Sequence, residues 1–233
     1  SVEGYRGEPR NKPPFPVEVG LFGKPTVVNN VETLVNVLPI LERGAAAFAA
    51  IGTERSTGTK LFAVSGAVQA PGVYEVPFGV TLGALLDLAG GLPPERTLQG
   101  VLLGGAAGAF VAHDGLDVPL TFEGAAAAGA TLGSGVAMVL DDTVDLVGFL
   151  VRIAAFFKDE SCGQCVPCRV GTVRQEEILE RLAAGRPLSS VADELALLAD
   201  VGAVMRDASI CGLGQTAASA IDSAIKRLEV FSA

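Results

Sequence analysis

The chain has four cysteines, and their placement is its most reactive feature. Three crowd into Cys162-Gly163-Gln164-Cys165-Val166-Pro167-Cys168, a C-x2-C-x2-C run. The fourth, Cys211, stands far downstream in Ile210-Cys211-Gly212-Leu213-Gly214. An iron–sulfur cubane takes four thiolates, one on each iron. Two-residue gaps let a single turning loop aim three sulfurs at one point, and a remote fourth closes the cage and ties two helices together. Gly163 lets backbone amides come near an anionic centre. Cys168 falls at or near a helix start, where free N–H groups and the helix dipole favour negative charge. Structural zinc also uses four cysteines, but usually as two separate C-x2-C pairs. A C-x-x-C redox couple would leave two cysteines idle. A [4Fe–4S] cluster on Cys162, Cys165, Cys168 and Cys211 accounts for all four and is the expectation. A zinc-tied, non-redox assembly module is its rival.

Other chemistry is sparse. Lys158 and Arg169 flank the cysteine run; a positive charge there would raise a cluster's potential, although both read as solvated side chains at helix ends. His113, the single histidine, lies in a Gly/Asp loop and reads as a surface residue. No Ser/His/Asp or paired-carboxylate arrangement supports hydrolysis, so no catalytic residue is assigned. The Gly104–Gly108 stretch lacks the G-x-G-x-x-G spacing and following helix of a phosphate loop.

The elements that must position the cysteines follow from periodicity and caps. From Asp141 onward the pattern is helical. Thr143 is expected to cap a helix carrying Val147, Leu150, Ile153, Ala154 and Phe157 on one face. Further helices are expected at 172–184, opened by a Thr172-x-x-Gln175 capping box, at 190–204 and at 215–230. Short connections make these a four-helix bundle. Residues 58–142 read as a separate α+β domain. Leu61–Val68 and Val73–Val76 are strand-like and joined by Gln69-Ala70-Pro71-Gly72. Thr81 caps a helix Leu82–Leu88 that stops at Gly90-Gly91, and strands follow at 101–103, 109–112 and 136–140. A hairpin, a crossing helix and further strands suggest a β-grasp arrangement. Residues 1–26 are Pro-rich and extended. Asn29 and Asn30 then precede a helix at 31–38, broken by Pro39, with another at 40–51 ending at Gly52.

Composition sets the outer limits. The 233 residues carry a formal charge of −9, which argues against a nucleic-acid partner. Mean hydropathy is +0.46, yet the uncharged run from Gly124 to Leu140 is rich in Gly and Ala and falls short of the roughly 20 strongly apolar residues that span a bilayer. No secretory signal opens the chain. It begins at Ser1 in a polar, Pro-rich stretch, the expectation for a fragment or a processed product. Clustered cysteines favour metal binding in a reducing compartment over a disulfide framework.

With these residues in view, a family resemblance emerges. Glu160–Thr172 with Cys211-Gly212-Leu213-Gly214 resembles the flavoprotein (51-kDa or F) subunit of NADH:quinone oxidoreductase, respiratory complex I. So do Glu3-Gly4-Tyr5-Arg6-Gly7-Glu8-Pro9-Arg10, Lys12-Pro13-Pro14-Phe15-Pro16 and Gly20–Leu34. Diaphorase subunits of NAD-reducing hydrogenases and flavoprotein subunits of NAD-dependent formate dehydrogenases share these motifs. The resemblance implies an α+β chain: a remnant of a Rossmann-like flavin domain over 1–57, a soluble-ligand-binding β-grasp domain over 58–142 and a helical [4Fe–4S] domain over 143–233. It implies hydride transfer from NADH to FMN, with single electrons leaving through the [4Fe–4S] centre toward quinone. Most of the flavin domain, including its Gly-rich loop, is not within this sequence, so the chain alone is expected to be inactive toward NADH. Val28, Asn29, Asn30 and Thr33 match the family segment that approaches FMN; an N-capped helix is the plain alternative. Gln164 stands where relatives often carry lysine. The implied partners are other subunits of a multi-subunit oxidoreductase, a [2Fe–2S] thioredoxin-like subunit among them, in a cytoplasmic assembly peripheral to the inner face of the membrane. The β-grasp domain is expected to be a spacer or docking surface.

Overall fold

The structure is a computed structural model and describes residues 2, 4 and 7–231. The expected motif residues Glu3, Tyr5 and Arg6 lie outside the described residues. Two compact units are present, Ser1–Ala50 and Ile51–Ala233.

The first unit holds two helices, α1 (Val31–Arg43) and α2 (Ala45–Ala49). Asn30 caps α1, its side-chain oxygen accepting from the Thr33 amide at 3.3 Å, and Glu32 sits in the first turn where the dipole favours it. Contrary to the sequence expectation, Pro39 does not break this helix: it lies inside α1. Proline costs one backbone donor, and because Val35 is exposed, water can serve the carbonyl left over. The break comes at Gly44, whose φ of +90° suits glycine alone.

The second unit is mixed α/β with a five-stranded sheet ordered β2-β1-β5-β3-β4. Its strands are β1 (Thr59–Gly66), β2 (Gly72–Pro77), β3 (Leu98–Leu103), β4 (Ala109–Val111) and β5 (Val136–Asp141). The expected β1–β2 hairpin forms, with Phe62 opposite Tyr74. β5 runs parallel to β1 and antiparallel to β3, with Val64 opposite Ala137 and Val101 opposite Val139. Helix α3 (Leu82–Leu88) is capped by Thr81, as its sequence predicts. A short helix, α4 (Phe122–Ala127), precedes β5.

The period-two alternation of β3 divides the interior. Val101 and Leu103 face Leu82 and Leu85 of α3 in one core. Leu102 faces the other way, with Phe110 and Leu140, into a core built by the C-terminal helices. These are α5 (Leu146–Glu160), α6 (Val166–Ala183), α7 (Val191–Ala208), α8 (Gly212–Thr216) and α9 (Ser219–Arg227). Edge strand β4 is satisfied by α9 rather than by another strand. The Phe110 amide donates to Ser223 Oγ at 2.8 Å, and Arg227 donates to the Phe110 carbonyl at 2.7 Å.

Three sequence expectations for the helical part are corrected. Asp145, not Thr143, caps α5; Thr143 instead donates its hydroxyl to Asp141 at 2.6 Å. Helix α6 begins at Val166 rather than 172, since Pro167 occupies the first turn, where proline is favoured. Thr172 and Gln175 therefore form no capping box. Thr172 donates to the Cys168 carbonyl at 2.8 Å, and Gln175 Nε2 donates to the Ala217 carbonyl at 3.1 Å. The helix expected at 215–230 is two, α8 and α9, divided at Ala217–Ala218. Among the described residues, no helix is long and apolar enough to cross a membrane.

Candidate metal centre

Two arms carry the cysteines. The first leaves the C-terminus of α5 at Ser161, turns through Cys162-Gly163-Gln164, and enters α6 with Cys165 at the N-cap and Cys168 in the first turn. Gly163 adopts φ +79°, a conformation open to glycine, which lets the loop double back. The turn is pinned twice. Arg169 donates to the Gly163 carbonyl at 2.7 Å, and the Gly163 amide donates to Ser161 Oγ at 3.3 Å. Arg169 is thus a brace rather than a freely solvated charge. Lys158 likewise has a partner in Glu176, at 2.6 Å, which ties α5 to α6.

The second arm is Ser209-Ile210-Cys211, between α7 and α8, with Cys211 at the N-cap of α8. Close packing sets its position. A Cβ on Gly214 would overlap Ser209 Oγ and lie 2.9 Å from the Cys168 Cβ, so only glycine lets α8 rest against the first arm. A Cβ on Gly171 would overlap the Met205 side chain, and one on Gly202 would meet the Ala218 Cβ at 2.9 Å. These contacts draw α6, α7 and the α8–α9 corner together. Gln215 Nε2 donates to the Ser209 carbonyl at 3.0 Å and fixes the loop from within.

The electrostatics of the thiols reflect this convergence. Cys168 is buried. Burial chiefly pushes its thiol pKa up, and the neighbouring Cys165, Cys211 and Cys162 add to the rise, because a fourth thiolate among three is disfavoured. The other three sulfurs are therefore each within electrostatic reach of Cys168. The Cys165 thiol is pulled the other way, first by the Ile210 amide and then by the Cys168 amide. One amide comes from each arm, so the second arm supplies a donor as well as a sulfur. The Ser161 hydroxyl lies 3.3 Å from Cys168 Sγ.

The donor set fits an iron–sulfur cluster: four cysteine sulfurs, inward amides and a buried, partnerless hydroxyl at Ser209. Among the described residues, no three His, Cys, Asp or Glu side chains gather as tightly as a single ion requires. A cubane sets iron and sulfide between its ligands and holds them wider apart than one ion does. Sequence reading singled out the four cysteines but not Ser209; nothing in the local sequence marks a serine two positions before a cysteine as a buried hydroxyl beside the other arm.

Val28, Asn29, Asn30 and Thr33 lie together and exposed at the start of α1. The Asn30 side chain is committed to the cap, through the Thr33 amide. His113 is exposed in a 3₁₀ turn, as expected of a surface residue.

Comparison with known proteins adds kinship to this geometry. Residues 148–230 match the NADH-ubiquinone oxidoreductase-F iron-sulfur binding region, and residues 61–106 match the SLBB domain. The NADH-quinone oxidoreductase F subunit of Mycobacterium tuberculosis (strain ATCC 25618 / H37Rv) is 43% identical over 226 residues, covering 97% of this chain and 50% of that protein. NADP-reducing hydrogenase subunit HndC of Solidesulfovibrio fructosivorans is 42% identical, covering 93% and 44%. The crystal structure of an NAD+-reducing [NiFe]-hydrogenase in the H2-reduced state superposes with a TM-score of 0.85 at 42% identity, covering 98% of this chain and 38% of that one. The chain thus spans about half the length of the curated relatives it matches. Over most of its length the chain is similar to F subunits of NADH-quinone oxidoreductases, and its residues 148–230 match the model of their iron–sulfur binding region.

Proposed function

We propose that Cys162, Cys165, Cys168 and Cys211 hold a [4Fe–4S] cluster and that the chain serves electron transfer in an NADH-oxidising assembly. The observation that carries this reading is the packing of two cysteine-bearing arms, distant in sequence, at Gly214, where a Cβ would meet both Ser209 and Cys168. A cluster bound there supplies one-electron acceptance and donation. The protein's own contribution is positional. Amides from Ile210 and Cys168 favour the Cys165 thiolate. Burial of Cys168 keeps solvent from one side. Glycine at 214 lets α8, which Cys211 caps, pack against the Cys168 arm.

The finer architecture belongs to the same proposal. Residues 58–142 serve as a β-grasp domain and 143–233 as the cluster domain. Residues 1–57 serve as the end of a flavin domain, with Val28, Asn29, Asn30 and Thr33 lining an FMN site that other parts of the intact protein complete. Its partners are further oxidoreductase subunits, including a [2Fe–2S] thioredoxin-like one, on the cytoplasmic side of a membrane complex. A second reading keeps the cluster and places the chain in an NAD(P)-linked hydrogenase. It is favoured by relatives of that kind at nearly the same identity.

Anaerobic reconstitution with iron and sulfide tests the core of the proposal. A brown protein with about four irons per chain and an EPR signal on reduction is the expected result. Stoichiometric zinc without a chromophore would defeat it.

A further inference from the structure

Among the described residues, three buried side-chain polar atoms have no hydrogen-bond partner, and Ser209 Oγ is the hydroxyl among them. Ser209 is 7% exposed, so water does not readily satisfy it, and an unpaired hydroxyl in such a place needs a reason. Both of its backbone groups are engaged. Its amide donates to the Met205 carbonyl at 3.1 Å, and its carbonyl accepts from Gln215 at 3.0 Å. The residue is therefore held in place with only its hydroxyl uncommitted.

The direction of that hydroxyl is set by what surrounds it. It rests over Gly214, on the point where a Cβ would also lie 2.9 Å from the Cys168 Cβ, and so it stands where the second arm packs against the first. Ser161, the hydroxyl of the other arm, is already engaged with the Gly163 amide. The acceptor that Ser209 lacks is one that a cysteine sulfur provides once a cluster holds it as a thiolate.

We propose that the Ser209 hydroxyl donates a hydrogen bond to a thiolate sulfur of the bound cluster and thereby raises the cluster's reduction potential. This rests on the cluster reading above. Reduction adds negative charge to the cluster and its thiolates, so a hydrogen bond to sulfur strengthens on reduction and stabilises the reduced form. Ser209 acts through a ligand and is a positioning and tuning residue. It receives no electron and transfers no proton.

The test uses the whole chain, reconstituted anaerobically, as parent, Ser209→Ala and Ser209→Thr. Iron content and the reduced EPR signal are read first; a parent that binds no cluster overturns the cluster reading and this inference with it. With four irons retained, Ser209→Ala should be harder to reduce. Poised at the parent's midpoint, its reduced-to-oxidised ratio should fall three- to tenfold, a tenfold change being about 59 mV for one electron. Ser209→Thr should stay near the parent ratio. After exchange into D2O, pulsed EPR of the reduced parent and Ser209→Thr should show a deuteron coupling that Ser209→Ala lacks. An unchanged ratio and unchanged deuteron couplings in a fully loaded Ser209→Ala would overturn the inference while leaving the cluster in place.

Discussion

The two arms of the proposed metal centre come together by different means. The Cys162–Cys168 arm is organised by its neighbours in sequence. A glycine with positive φ turns it, Arg169 braces it six residues on, and the helix it enters begins at one of its own cysteines. The Ser209–Gly214 arm has one comparable local device, the Gln215 side chain on the Ser209 carbonyl, and no glycine turn. It is placed by contacts across the bundle: Gly214 against Cys168, Gln175 on the Ala217 carbonyl, and Gly171 and Gly202 admitting Met205 and Ala218. The first arm should therefore keep its shape when the bundle loosens, whereas the second should not. Cluster retention then depends most on residues that never touch iron but set where the second arm lies.

The largest effect should come from the sulfur the second arm contributes. Cys211→Ser leaves the first arm intact, yet iron should fall well below about four per chain, because a cubane needs a ligand on each iron. The melting temperature of the reconstituted protein should fall as well, since ligation is also folding energy in a metal-tied domain. Iron assay and calorimetry on parent and variant check both. Unchanged values would show that the second arm is not a ligand arm.

Next comes the packing that places that arm. Gly214→Ala puts a Cβ where Ser209 Oγ and the Cys168 Cβ already stand. Overpacking of this kind costs about 1–3 kcal/mol, measurable by denaturant unfolding. The variant should also lose iron to a chelator faster than the parent. A stability loss without faster iron loss would break the distinction drawn between the arms.

A charge pair at the far end of α6 offers a control. Glu194 is nearly buried and accepts from Arg181 at 2.8 and 2.7 Å and from the Leu188 amide at 3.0 Å. The guanidinium first, then the amide, hold its carboxyl below the usual range. The folded state thus binds this proton less readily than the unfolded state. The stabilisation is complete above the ordinary glutamate pKa and is lost as pH falls through that value toward the depressed one. Arg181→Met should lower the melting temperature near neutral pH and flatten its decline on acidification. Chelator-driven iron loss should stay near the parent rate, because the pair braces α6 against α7 away from both arms.

The same contrast explains what could be read from sequence. The hairpin, the Thr81 cap and the Asn30 cap are short-range signals, and each stands where its residues predict. The three-cysteine spacing is equally local. The failures came where a local signal had a rival reading. The start of α6 was placed at 172 on the Thr172-x-x-Gln175 pattern, but Pro167 suits a first helical turn and the helix begins at Val166. Thr172 and Gln175 resembled a capping box while serving the helix interior and the α8–α9 corner. Pro39 read as a stop because the exposure of its helix was not visible. Ser209 was invisible for a further reason: its hydroxyl is buried beside an arm distant in the chain.

The smallest expected effect probes the first arm on its own terms. Arg169 donates to the Gly163 carbonyl from an exposed position. Water can replace it there, so Arg169→Ala should cost about 1 kcal/mol. Because Gly163 can adopt its positive φ unaided, the loop should still turn and four irons should still load. What should change is the local opening rate. Hydrogen exchange at the Gly163 and Gln164 amides should quicken several-fold, while amides of Gln215 and Thr216 in the second arm keep the parent rate. Equal acceleration in both arms would mean that they are held by one shared network, and the division between a locally built arm and a packing-built arm would fail.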